Sequence, residues 1–190
     1  MRILRKLSIY CLLLCGAGSA SMSQTLPPSF SELLKSGSMK FALPPNFAPT
    51  PVLVNGDVAY DFAVRSKTQK LEIRYRIVPF NRTTEKPGPG ANIIYQGLTI
   101  TMGLNISGGK HPPYQAYPDN SVREEFGADA GGTSFVECDS DFGKGYGKCL
   151  ISVIHRDNVA DAYAFFLFDD LRVLQTALMT DNVYHALRFQ

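Results

Sequence analysis

Apolar and polar positions alternate most regularly between Val58 and Ile77. Val58, Tyr60, Phe62 and Val64 interleave with Ala59, Asp61 and Ala63, and Leu71, Ile73, Tyr75 and Ile77 interleave with Glu72, Arg74 and Arg76. A period of two sends successive side chains to opposite sides of a sheet, so two strands with one core face and one wet face are expected. Val52 to Val54, Asn55-Gly56 and Asp57 to Val64 read together as a hairpin, because Asn-Gly accepts the positive φ values of a type I′ turn. Met39 to Leu43 reads as an earlier strand, stopped by Pro44-Pro45, which cannot donate to a ladder. Pro49 and Pro51 keep the residues after it extended.

The second half repeats the strand signal in a different form. Thr133 to Asp139 and Lys148 to His155 read as two strands joined by a glycine-rich excursion. Ala160 to Phe168 carries Tyr163, Phe165, Phe166, Leu167 and Phe168 with no alternation, the pattern of a strand covered on both faces. Helical spacing separates these runs. Ser29-Phe30-Ser31-Glu32 has the form of a capping box, and Gly37 is placed to end that helix. After the break at Lys86-Pro87-Gly88-Pro89-Gly90, residues Ala91, Ile94, Leu98 and Met102 predict a helix to about Leu104, although Thr99-Ile100-Thr101 would also suit a strand. Ser121 to Asp129 holds one or two turns. Leu171 to about Leu187 closes the chain as a helix, with Val183 to Phe189 also readable as alternating strand. The fold class expected is α+β, an antiparallel sheet flanked by helices, in one domain over residues 29–190.

The first twenty residues have another character. Arg2, Arg5 and Lys6 precede an apolar run from Leu7 to Cys15 and a small-residue exit, Gly16-Ala17-Gly18-Ser19-Ala20, which is the form of a secretory signal peptide. A short linker, residues 21–28, would follow. The protein is therefore expected to be exported, to the periplasm or beyond the cell. The apolar run falls short of the roughly 20 residues that a spanning helix needs, and no later stretch supplies them. A lipid anchor at Cys15 is disfavoured, because Leu14 stands where such signals carry a small residue.

Removing this segment changes the bulk properties. The chain has 19 Lys+Arg and 17 Asp+Glu, and all three basic residues of the segment leave with no acid, so the net charge moves from +2 to −1. No positive footprint for nucleic acid remains. Cys11 and Cys15 leave too, and Cys138 and Cys149 stay. In an oxidising compartment this pair, at facing positions near the base of the glycine-rich excursion, is expected to form a disulfide. Closing a loop of about a dozen residues would be worth roughly 3 kcal/mol on chain-entropy grounds. A redox-active or metal-binding pair is the weaker alternative, since the C-x-x-C spacing and partner ligands are missing.

The element order of short helix, antiparallel strands, helix, more strands and final helix resembles the PsbP-like fold, an α/β/α sandwich. The local matches are Phe41-Ala42-Leu43-Pro44-Pro45-Asn46-Phe47, similar to that family's opening strand, and Ala186-Leu187-Arg188-Phe189, similar to its closing tail. The segment from Gly108 to Gly132 departs from it. The resemblance implies a non-catalytic binding or assembly factor, and it transfers no functional residue.

Candidate chemistry is sparse. Glu137, Asp139 and Asp141 gather carboxylates before Gly143, Gly145 and Gly147, a conceivable cation turn. An EF-hand count from Asp139 puts Leu150 where a bidentate acid is required, so that motif fails. His155 with Asp157 could serve a small hydrolase, but no nucleophile motif accompanies them. The loop containing His111, Tyr114 and Tyr117 is braced by prolines and reads as the best recognition surface, because ordered tyrosines give contact area at low entropic cost. Arg74 and Arg76 could add a groove for an acidic partner, though with Glu72 they read more simply as a solvated face. The function expected is an exported, non-enzymatic module that binds a protein, peptide or envelope component without a cofactor; the alternative is an exported hydrolase or metal-dependent enzyme using His155 and nearby acids.

Overall fold

The computed structural model describes residues 26–80 and 91–190; the signal-like start, Cys11, Cys15 and most of the linker lie outside the described residues. The architecture is an antiparallel α+β sandwich, as the patterning predicts. Seven strands form one sheet: β2 (Phe47–Thr50), β3 (Phe62–Ser66), β4 (Leu71–Pro79), β5 (Tyr114–Ala116), β6 (Ala130–Glu137), β7 (Lys148–Arg156) and β8 (Ala160–Phe168). Their spatial order is β2-β3-β4-β8-β7-β6-β5, every neighbouring pair antiparallel. A two-stranded ribbon pairs β1 (Met39–Phe41) with β9 (Leu187–Phe189).

Helices cover both faces. On one side lie α1 (Pro28–Ser36), α3 (Asp119–Phe126), α5 (Leu171–Thr180) and the β1–β9 ribbon, packed on Phe62, Val64, Ile73, Tyr75, Ile77, Phe166 and Phe168. On the other lie α2 (Ala91–Ile106) and the one-turn α4 (Ser140–Gly143), packed on Ala63, Val136, Cys149, Ile151, Val153, Tyr163 and Phe165. The expectation of a wet sheet face is thereby overturned. β8 sits at the middle of the sheet, paired on both edges and apolar on both faces, as its unbroken apolar run predicts. No helix among the described residues is long and apolar enough to cross a membrane.

Four local expectations need correction. First, the Asn55-Gly56 hairpin does not form. Asn55 Oδ1 accepts from the amides of Asp57 and Val58, a side-chain turn that leaves residues 51–60 irregular. The strand that pairs with β3 is instead Phe47–Thr50, on the proline-bearing segment at the sheet edge. Second, the apolar alternation breaks at Asp61. The Asp61 amide donates to the Tyr75 carbonyl although Phe62 is the register partner of Tyr75, so two residues meet one and the side chains change face. Val58 and Tyr60 therefore pack under α2 while Phe62 and Val64 face α1.

Third, α1 begins at Pro28 with Pro27 as its N-cap and no side-chain cap, so the Ser29 capping box is not used. Proline at the first helical position needs no partner for an N–H it lacks. Fourth, the closing helix stops at Thr180. The alternation beyond it belongs to a real strand, β9, whose Leu187 and Phe189 are buried while Arg188 is exposed.

Candidate functional site

Arg74, expected on a solvated face, is the largest fully buried side chain of the sheet. It and Glu72 are each 1% exposed. Arg74 Nε donates to Glu72 Oε1 at 2.8 Å, and its Nη1 donates to the Phe142 carbonyl of α4. The guanidinium lies 4.9 Å from the Tyr60 ring and 4.8 Å from the Phe142 ring, a cation held between two aromatic faces. Arg65 reaches the same carboxylate from the rim, donating to Glu72 Oε2 at 2.7 Å. Nη2 of Arg74 has no partner among the described residues. The segment around α4 thus acts as a cover over the pair, through the carbonyl and ring of Phe142. Arg76 is half-buried, with a long contact to the Ala59 carbonyl.

His155 is also internal. It stands opposite Asp161 in the β7–β8 register, where Nδ1 meets Asp161 Oδ1 at 2.6 Å and Nε2 meets Asp157 Oδ1 at 2.9 Å. The ring stacks on Tyr95 of α2 at 4.9 Å. Burial pulls its pKa down, but the hydrogen bonds and charges of Asp161 and then Asp157 outweigh that and raise it above 6.5. With both nitrogens held by carboxylates, the ring clamps strand, turn and helix together and has no nitrogen free to take a proton from a bound molecule.

This geometry sets a pH dependence. A folded-state pKa above the unfolded value adds stability that is complete below the unfolded value and is lost as pH rises through the folded one. Chemical denaturation at stepped pH should therefore show wild-type stability falling as pH rises above 6.5, with that component absent in His155→Gln. A His155→Gln protein with the same pH slope as wild type would disprove the clamp.

The tyrosines of the recognition loop lie down on the sheet, on opposite sides. Tyr117 Oη bonds Ser152 Oγ at 2.8 Å, and its ring stacks on Phe126 of α3. Tyr114 packs under α2 against the bare backbone of Gly132, where an added Cβ would stand 2.4 Å from Tyr114 Oη. On the other face a Cβ on Gly131 would stand 2.6 Å from the Val153 carbonyl and 3.0 Å from the Tyr117 ring. Two consecutive glycines inside β6 leave a flat strip that receives one tyrosine per face. His111 is exposed, and Tyr114, Tyr117, Arg74 and Arg76 do not converge with it on one surface.

The acidic turn divides in the same way. Glu137 turns outward to Lys110 at 3.0 Å, and that hydrogen bond lowers its pKa. Asp139 caps α4, its Oδ1 accepting from the amides of Asp141 and Phe142. Asp141 accepts from the Gly56 amide at 2.7 Å and from Lys144, tying the 51–60 segment to α4. Asp57, which the sequence reading passed over, lies close to Asp139; burial and then the charges of Asp139 and Asp141 raise its pKa. Among the described residues no set of three His, Cys, Asp or Glu side chains is arranged to hold a metal ion. A narrow cleft beside Tyr75, Ser152 and Tyr184 has room for about one water molecule.

The surface also carries apolar side chains. The sixteen residues of α2 include no charged side chain, and Ile94 (62% exposed) and Leu98 (39%) point outward one turn apart. Asn105, further along that helix, donates to the Asp57 carbonyl, which ties α2 to the segment carrying exposed Val52, Leu53 and Val54. The missing charges were visible in the sequence and are the signal that could have singled out this helix.

Fold and site together define a small α+β sandwich that holds two buried charged clusters, Glu72–Arg74 and His155–Asp161. Comparisons go no further: no family model, curated protein or solved structure matches the chain.

Proposed function

We propose that the protein is an exported, non-enzymatic binding or assembly module of the periplasm or cell envelope, and that it engages an apolar stripe of a protein or peptide partner through the outer face of α2. The observation that carries this reading is the uncharged α2, which turns Ile94 and Leu98 to the surface. Large apolar side chains exposed one turn apart on an uncharged helix suit an interaction surface. The absence of charge on the helix favours a partner recognised by shape and apolar burial over one recognised by ion pairing. The resemblance to PsbP-like proteins, read as binding and assembly factors, points the same way. The geometry favours this over a hydrolase because both ring nitrogens of His155 are engaged by Asp161 and Asp157.

The test is affinity capture from envelope extract after crosslinking, using wild type and the double variant Ile94→Glu/Leu98→Glu. Both positions are on the surface, so the variant should melt within a few degrees of wild type. The expected result is a partner enriched by wild type and reduced at least tenfold with the variant. Equal recovery by both proteins would overturn the assignment of α2.

A further inference from the structure

The register of β6 and β7 corrects one expectation about the two cysteines. Cys149 faces Val136, and the Cys138 amide donates to the Gly147 carbonyl at 2.9 Å, so the cysteines are diagonal neighbours and not a directly facing pair. Both side chains lie under α2 in the same apolar cluster, and the structure carries both as free thiols. Their surroundings are unequal. Cys149 is fully buried as the second residue of β7, whereas Cys138 is half-buried one residue past the end of β6, where the chain turns into α4. Diagonal neighbours stand about 7–8 Å apart, just past the usual span of a disulfide, so closure needs a small backbone movement. The strand-end residue can close that gap, because Asp139 to Tyr146 is a one-turn helix and a turn and not part of the ladder.

We propose that Cys138 and Cys149 are a reversible disulfide clasp that fastens the Asp139–Tyr146 cover over the buried Arg74–Glu72 pair. Export, as proposed above, supplies only the compartment where the oxidation occurs. Cys138, the accessible sulfur, attacks a small disulfide such as oxidised glutathione; one S–S bond breaks, a mixed disulfide forms and one glutathione leaves as thiolate. Cys149 then loses its proton and attacks the Cys138 sulfur, releasing the second glutathione. The protein loses two thiol hydrogens and the oxidant gains them as two thiols. Burial, followed by the neighbouring Cys138, raises the pKa of Cys149, with the Arg74 guanidinium acting in the opposite direction, so Cys138 is the sulfur that attacks first. Closure holds Phe142 in place, whose ring and carbonyl both contact Arg74.

The experiment uses the purified full chain, first reduced and then incubated with oxidised glutathione, and follows it by alkylation in denaturant and peptide mass mapping. The expected product is a Cys138–Cys149 crosslinked peptide lighter by two hydrogens, with neither of these thiols alkylated, and full reversal by reductant. A persistent glutathione adduct on Cys138 with Cys149 still alkylatable, or crosslinks through Cys11, Cys15 or a second molecule, would overturn the proposal. Two readouts test the clasp itself. Trypsin should cut after Lys144 several-fold faster in the reduced protein, and reduction should lower the melting temperature by about 5–10 °C. The variant Cys138→Ser should show neither response to reductant. Equal cleavage and melting of the two wild-type forms would show that the bond, even where formed, fastens nothing. Closure in glutathione combined with a fully reduced protein recovered from cells would count against export and leave the chemistry standing.

Discussion

Replacing Arg74 by methionine is expected to destabilise the fold by about 3–5 kcal/mol, the usual consequence of removing one partner from a buried ion pair. Methionine fills much of the same space, so the loss comes from charge and hydrogen bonding and not from a cavity. Glu72, 1% exposed, would keep its carboxylate in the interior with only Arg65 at the rim to answer it. The Phe142 carbonyl would lose its donor, and α4 would lose the cation between the Tyr60 and Phe142 rings. The double variant Glu72→Leu/Arg74→Met removes both charges together and should recover about half or more of the lost stability. Urea denaturation of wild type, both singles and the double gives the coupling directly. An Arg74→Met protein within about 1 kcal/mol of wild type would mean that the guanidinium is not buried in solution.

Gly132→Ala is the second change with a large expected effect, a loss of about 3 kcal/mol or more from a single methyl group. The new Cβ would stand 2.4 Å from Tyr114 Oη, 2.5 Å from Cζ and 2.6 Å from the Gln115 carbonyl. The tyrosine could swing away, but the carbonyl belongs to β5, whose short ladder pairs Gln115 with Thr133. Combining the change with Tyr114→Ala should therefore restore only part of the stability. Amide exchange should show β5 detaching before the rest of the sheet. Full recovery in the double variant would place the whole conflict in the side chain and contradict the close backbone approach.

Both residues illustrate what the sequence made legible and what it concealed. The strands over Leu71–Pro79, Lys148–Arg156 and Ala160–Phe168 follow from period two or an unbroken apolar run, and α2 follows from its spacing, because these patterns reflect burial directly. Arg74 was misread since alternation reports which residues share a face and not whether something covers that face. Its cover, α4, comes from a short segment sixty-eight positions later with no periodicity of its own. The Asn55-Gly56 hairpin failed for a related reason. Asn55 satisfies the local amides with its side chain, so the turn forms without requiring strands beside it.

The candidate site was less legible than the fold. His155 was noticed, but Asp161 was not, although counting outward from the turn at Asn158, whose φ is 58°, places the two opposite each other. The tyrosine loop looked like a recognition surface because exposure cannot be read from Tyr114 and Tyr117 alone. The pair Gly131-Gly132 held the missing information, since adjacent glycines in a strand announce that something else must lie on the sheet.

The ribbon formed by Met39–Phe41 and Leu187–Phe189 has a consequence for the order of events in biosynthesis. The first strand to leave the ribosome takes as its partner one of the last, and Gln190 fastens the join through bonds to Ser38 and Met39. Until residues 187–189 emerge, Phe30, Met39 and Phe41 have no complete cover. A domain built this way keeps an early apolar segment uncovered until its distant closing strand arrives, so it shuts in one late step and not piece by piece.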